Sequence, residues 1–145
     1  MKLSTRTRYG VRMMLALAKN YGRGSVYLKD IAKGEEISEK YLSQIIIPLR
    51  GVGLVKSLRG AHGGYALVKS PAEITLKDIV DILEGDCLVD CVKDPASCSR
   101  IETCASRDVW ELVGEKISGV LESITLEKLV QMDKDKAKDA LGANI

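Results

Sequence analysis

The segment Arg59-Gly-Ala-His-Gly-Gly64 constrains this chain more than any other, because three glycines in six residues separate two short apolar runs, Leu54-Val-Lys-Ser-Leu58 and Tyr65-Ala-Leu-Val68. Glycine reaches positive φ at no steric cost, so the connection can turn tightly and the two runs pair as a β-hairpin. What precedes them is helical. Tyr9, Met13, Met14, Leu17, Ala18 and Tyr21 recur at helical steps from Ser4 onward, which predicts an amphipathic helix ending near Asn20 and Gly22.

A second, short helix is expected around Leu28 to Lys33, with Ile31 and Ala32 facing the core and Gly34 as its stop. The third begins at Ser38, a favoured N-cap, with Ile37 and Leu42 placed as a hydrophobic staple. Tyr41, Leu42, Ile45, Ile46 and Leu49 form its buried stripe. Pro48 removes a hydrogen bond, so the helix is expected to end between Ile47 and Arg50. Helices followed by a hairpin in this order predict a mainly α fold, a winged helix-turn-helix.

A further helix follows from Thr75, with Asp78 completing a capping box and Gly85 as the stop. Then comes a stretch without periodicity that holds every cysteine of the chain, Cys87, Cys91, Cys98 and Cys104. Beyond it Val109, Trp110, Leu112, Val113, Ile117, Val120, Leu121 and Ile124 describe a long helix whose apolar face is too wide for one small domain to cover. Packing on a second subunit is the expected outcome. A short closing helix is read from Thr125 to Val130, and the Lys/Asp-rich tail after Met132 is read as solvated or frayed. The organisation expected is residues 1–84 as the winged domain, 85–105 as a cysteine-rich loop, 106–130 as the dimerisation helix with its closing helix, and 131–145 as a polar tail.

Charge also divides the chain, after Lys69. Residues 1–69 hold 13 Lys and Arg against 4 Asp and Glu, whereas residues 70–145 hold 9 against 16. A half this basic can displace counterions from a phosphate backbone, and the acidic half would be repelled by it. Only the first half should face nucleic acid. The N-terminus lacks the ~7–15-residue apolar run of a secretory signal, and no run of about 18 apolar residues suggests a membrane span. A soluble cytoplasmic protein is expected, where thiols stay reduced and clustered cysteines are better suited to metal or redox chemistry than to disulfides. Their spacing, Cys-x3-Cys-x6-Cys-x5-Cys, lacks the paired Cys-x2-Cys of common zinc ribbons. An iron-sulfur cluster, a structural zinc or unligated thiols remain open on spacing alone.

The segments Lys2-Leu-Ser-Thr-Arg-Thr-Arg-Tyr-Gly10, Ile37-Ser-x-x-Tyr-Leu42, Gly-Leu-Val55, Arg59-Gly-x-x-Gly-Gly-Tyr65 and Thr75-Leu-x-Asp-Ile79, with the cysteines and Trp110, resemble one family in order and spacing. It is the bacterial winged-helix regulators that include the iron-sulfur regulator IscR and the nitric-oxide sensor NsrR. The resemblance implies a dimeric transcription factor with the long C-terminal helix as its dimer element. It also implies an iron-sulfur cluster, 2Fe-2S favoured over 4Fe-4S, with Cys91, Cys98 and Cys104 as ligands. The histidine that IscR-type proteins use as fourth ligand is matched here by Arg107, and the aspartate that NsrR-type proteins borrow is matched by Arg8. Cys87 is the substitute, followed by Asp108, Asp90 or Glu102. Repression of iron-sulfur assembly genes is implied by analogy. A cluster-free member of the family, answering to a metabolite or protein partner as the cysteine-metabolism regulator CymR does, is the alternative.

In a helix-turn-helix the start of the second helix of the motif enters the major groove. The expected DNA-facing set is therefore Ser38, Lys40, Tyr41, Ser43, Gln44 and Arg50 on that helix, joined by Lys2, Ser4, Arg6 and Tyr9 at the opening of the first. Gln44 can pair bidentately with adenine; Tyr41 has core packing as its competing role. Arg59, Gly60, His62 and Gly63 make up the wing, with Arg59 directed at a minor groove or its phosphates. His62, the one histidine, stands far in sequence from the cysteines and is read as a wing residue. No Cys-x-x-Cys, catalytic triad, phosphate loop or second histidine supports an enzyme.

Overall fold

The computed structural model describes residues 2–86 and 88–143. Helix α1 (Thr5–Lys19) starts at Ser4, whose hydroxyl accepts from the Thr7 amide at 3.1 Å. Helices α2 (Leu28–Glu35) and α3 (Glu39–Gly51) follow, then strands β1 (Val55–Leu58) and β2 (Gly64–Leu67), which pair antiparallel with Val55 opposite Leu67 and Leu58 opposite Gly64. The chain is mainly helical with one small hairpin, a winged helix-turn-helix, as the sequence order implies.

Local chemistry explains most boundaries. The stop expected at Gly34 falls one residue later, and the left-handed residue is Glu36, at φ 54 and ψ 44. The amide of Ile37 reaches back to the Ala32 carbonyl at 3.0 Å and that of Glu36 to Lys33 at 3.4 Å, the bonding of a Schellman motif with buried Ile37 and Ala32 supplying its apolar contact. That motif is the turn that sets α3 across α2. Pro48 does not shorten α3, which runs on to Gly51. The proline removes only a bond to the carbonyl of Gln44, an exposed residue within reach of water.

The core lies between α1, α3 and the next helix, α4 (Leu76–Leu83), where Met13, Met14, Leu42, Ile45, Leu49 and Ile79 are all 0–1% exposed. Gly10 is the closest point between α1 and α4; a Cβ there would collide with the Leu83 side chain. Helix α4 opens on the expected capping box, with Thr75 Oγ1 accepting from the Asp78 amide at 3.2 Å and Asp78 Oδ2 accepting from the Thr75 amide at 2.9 Å. Gly85 ends the segment at φ 105.

The rest of the chain departs further from expectation. The cysteine stretch is not irregular throughout: it holds a one-turn helix, α5 (Asp90–Lys93), and a 3-10 turn at Pro95–Ser97. Helix α6 (Ala105–Glu122) has no buried residue, and Val109, Leu112 and Val120 are more than half exposed. The short closing helix is corrected most: α7 runs from Leu126 to Gly142, well past Val130 and through the segment read as tail. Leu126 is fully buried, and Leu129 and Val130 pack against the core of the winged domain. Beyond them Lys19 of α1 pairs with Asp133 of α7 at 2.8 Å, and within α7 Gln131 donates to Asp135 at 2.8 Å, so residues read as solvated tail are paired. Two backbone bonds fasten this region: Leu76 donates to the Ile124 carbonyl and Leu126 to that of Ile74, both at 2.8 Å. Among the described residues no helix is long and apolar enough to cross a membrane.

Candidate nucleic-acid interface and cysteine loop

On α3 the Ser38 hydroxyl caps the helix by accepting from the Tyr41 amide at 3.3 Å. Ser38, Lys40, Ser43, Gln44 and Arg50 are exposed along the helix, while the alternating Leu42, Ile45, Ile46 and Leu49 anchor its other face in the core. Tyr41 is half-buried. Its ring meets that of Tyr9 edge-on with centroids 5.9 Å apart, and the Arg12 guanidinium lies 5.6 Å from the Tyr9 ring. Arg12 in turn binds Glu35 at 2.9 Å. Tyr9 and Tyr41 thus join α1 to α3, and both pack against the core.

At the opening of α1, Lys2, Arg6 and Arg8 are exposed, and none of them forms an ion pair among the described residues. Ser4 differs from them. Its hydroxyl donates to Glu84 Oε2 at 2.6 Å and its amide contacts the same carboxylate at 3.2 and 3.3 Å, so both donors are engaged within the fold. Thr7, fully buried, donates its hydroxyl to Glu84 as well. The hydroxyls of Ser4 and Thr7 hold the Glu84 carboxyl below its ordinary pKa.

The wing's Arg59, Gly60 and His62 are exposed, with Gly60 at φ 98. Gly63 is buried: a Cβ there would lie 2.9 Å from the Leu58 carbonyl oxygen, so its glycine is required by space inside the turn. Residues before α2 hold this loop. The Ser25 hydroxyl lies 2.6 Å from the His62 carbonyl and 2.7 Å from that of Gly63, and the Tyr27 hydroxyl donates to the Ala61 carbonyl at 2.7 Å. Val26 and Tyr65 exchange backbone bonds of 2.9 and 2.8 Å, bringing a third backbone segment alongside the hairpin. Sequence reasoning missed Ser25, Tyr27 and Glu84, whose partners stand 34 to 80 residues away along the chain.

The cysteines occupy three consecutive features. Cys91 is on α5, Cys98 ends the 3-10 turn, and Cys104 is the N-cap of α6; all three are free thiols of intermediate exposure. Cys104 Sγ stands 3.1 Å from the Ser106 hydroxyl, which with the backbone amide of Arg107 holds its thiol below the usual range. Cys87 lies outside the described residues. Arg107, at the position where a histidine ligand would be matched, donates Nε to the Cys91 carbonyl at 3.2 Å and contacts Glu111 at 3.4 Å. It therefore fastens α5 to the start of α6. Asp90, Glu102 and Asp108 are exposed. The donors suit a thiolate-held group in kind, being three free thiols with one biased toward thiolate. Among the described residues no three His, Cys, Asp or Glu side chains converge closely enough to hold a metal ion.

A match to the Rrf2 family, described as iron-dependent transcriptional regulators, covers residues 3–132. The chain is 44% identical over 129 residues to the HTH-type transcriptional regulator CymR of Bacillus subtilis, spanning 89% of both proteins. It is 35% identical over 130 residues to the regulator IscR of Photorhabdus laumondii, spanning 90% of this chain and 79% of that protein. Among solved structures it resembles B. subtilis CymR, described as the global cysteine regulator, with a TM-score of 0.77 at 42% identity over 91% of this chain and 98% of that one. It resembles the IscR of T. potens with a TM-score of 0.78 at 40% identity, over 94% and 90% of the two chains. These relatives are transcriptional regulators, not enzymes.

Proposed function

The chain belongs to the Rrf2 family of transcriptional regulators, and from that premise we propose that it is a homodimeric repressor of iron-sulfur assembly genes whose operator affinity is set by an iron-sulfur cluster. Cys91, Cys98 and Cys104 are the ligands, Cys87 the fourth, and the cluster is 2Fe-2S. The observation that carries this reading is the position of three free, partly exposed thiols between the DNA reader and α6, where none of them joins the core. Cysteine is among the residues most often buried, so thiols kept out of the core call for a chemical role.

Ser38, Lys40, Ser43, Gln44 and Arg50 are the groove-facing surface of α3, with Gln44 reading a base and the others holding edges or phosphates. Lys2, Arg6, Arg59 and His62 add contacts to the backbone or the minor groove. The exposed apolar residues of α6 pair with those of a second copy, which sets the separation of the two α3 helices near one helical turn of DNA, ~34 Å. A bound cluster supplies the loop with iron–thiolate bonds sensitive to redox state and to oxidants. The chain's own part is positional. Cys91 on α5, Cys98 after the 3-10 turn and Cys104 at the cap of α6 would hold the group, and the Arg107 bond to the Cys91 carbonyl ties α5 to the first turn of α6. A coupling of about 1–3 kcal/mol, typical of such linked sites, changes operator affinity roughly 5–150-fold.

The test is anaerobic reconstitution with iron and sulfide analysis, followed by DNA titration of apo protein, reconstituted protein and Cys98→Ala. The expected result is about two irons and two sulfides per chain, with an affinity change that Cys98→Ala abolishes. Zinc alone, or no metal, ends the cluster reading. A second reading has its own support: identity to the cysteine regulator exceeds that to P. laumondii IscR, and the three described thiols form no metal-holding group with other described residues. On it the regulator is cluster-free and answers to a metabolite or protein partner of cysteine metabolism. Colourless protein from an anaerobic purification favours it over the first.

A further inference from the structure

The carboxylate of Glu84 ties the end of α4 to the start of α1. It caps the end of α4 and accepts from the Ser4 amide, the Ser4 hydroxyl at 2.6 Å and the Thr7 hydroxyl. Ser4 is the N-cap of α1, so the carboxylate sits at the positive end of that helix, where negative charge is stabilised. The last turn of α4 is also locked to α1 by the close approach of Leu83 to Gly10. Two residues beyond Ser4 on one side, and two before it on the other, stand exposed Arg6 and Lys2. Glu84 makes its bonds to hydroxyls and an amide rather than to these cations, which leaves their charge available to phosphate.

We propose that Glu84 is a positioning residue for DNA binding: by fixing Ser4 and Thr7 it sets the direction in which the basic opening of α1 is presented. The inference rests on the reading of this chain as a DNA-binding regulator. It also deepens that reading, since Gly85, at φ 105, turns the chain toward the cysteine loop one residue after this anchor. Any displacement of the start of the loop is therefore felt at the cap of α1.

The experiment measures the salt dependence of binding to a short mixed-sequence DNA duplex, for wild type, Glu84→Gln, Thr7→Val, Arg6→Ala and the double variant Glu84→Gln/Arg6→Ala, with thermal unfolding alongside. Each lost phosphate contact lowers the slope of log affinity against log salt by ~0.9. The expected result is that Glu84→Gln lowers the slope by about one contact, that Thr7→Val moves it in the same direction by less, and that the double variant loses less than the sum of its parts. Thr7→Val keeps the shape of a buried side chain and serves if Glu84→Gln does not fold. A lowered melting temperature with an unchanged slope in the folded variants overturns the proposal while leaving the DNA-binding reading intact. Wild type without salt-dependent binding overturns both.

Discussion

The winged domain and the cysteine loop are adjacent in sequence and held together by different means. Between Met13 and Leu83 the domain buries a continuous apolar cluster, and the hairpin, the Schellman turn at Glu36 and the caps at Ser38 and Thr75 all agree with it. Between Gly85 and Cys104 no described residue is buried, and short-range polar links do the holding: Lys93 to Asp86 at 2.8 Å, Arg107 to the Cys91 carbonyl, Ser106 to Cys104. A surface that must match DNA needs a shape independent of conditions, and close packing provides it. A segment without buried apolar contacts has low local stability, which a loop that changes shape on binding would need.

That contrast can be broken most directly by truncating one side chain in each region. Leu42→Ala removes a fully buried residue of α3 and is expected to cost about 2–5 kcal/mol in chemical unfolding, whereas Leu88→Ala in the loop should stay within about 0.5 kcal/mol. Comparable losses would mean that the loop is part of the core after all. DNA recognition gives a smaller effect with the same division. Gln44→Ala should lose about 1–3 kcal/mol at a single base pair, seen by competition with base-substituted operators, and Cys98→Ala in the apo protein should discriminate those operators as wild type does. If Cys98→Ala shifts the base preference of apo protein, the reader is not independent of the loop.

The smallest effect probes the joint between the two regions. The Glu84 carboxyl is held below its ordinary value of 4.5 by its bonds to Ser4 and Thr7, so it contributes stability that is present above about pH 4.5 and is lost as pH falls through the folded value. Acidification from neutral pH to about pH 4 should therefore destabilise wild type more than Glu84→Gln when unfolding is followed at each pH. Parallel curves for the two proteins would show that the link is not made in solution.

Much of this was legible in the sequence because the signals are local. Ser38, the Thr75–Asp78 box and the glycines at 60 and 64 each act within a few residues of themselves, and the apolar steps of α1 and α3 name the core faces they bury. The concentration of cysteines and the split in charge are also local facts, and they located a candidate sensor loop and a candidate DNA face before any coordinates. The long-range misses share a cause. Helix α7 was cut short at Val130 because its later residues are polar, and it continues to Gly142 through pairs such as Lys19 with Asp133 that no window of neighbouring residues contains. Ser25, Tyr27 and Glu84 were missed for the same reason, since a serine, a tyrosine and a glutamate acquire their roles only from a wing or a helix cap that folding brings to them. The sequence alone determined the elements of the winged domain, their order and which of their faces are buried, because periodicity and capping are read from adjacent residues. Only the tertiary structure decided how the wing is held and how the cap of α1 is tied to Glu84, because those depend on distances between residues that the chain itself keeps far apart.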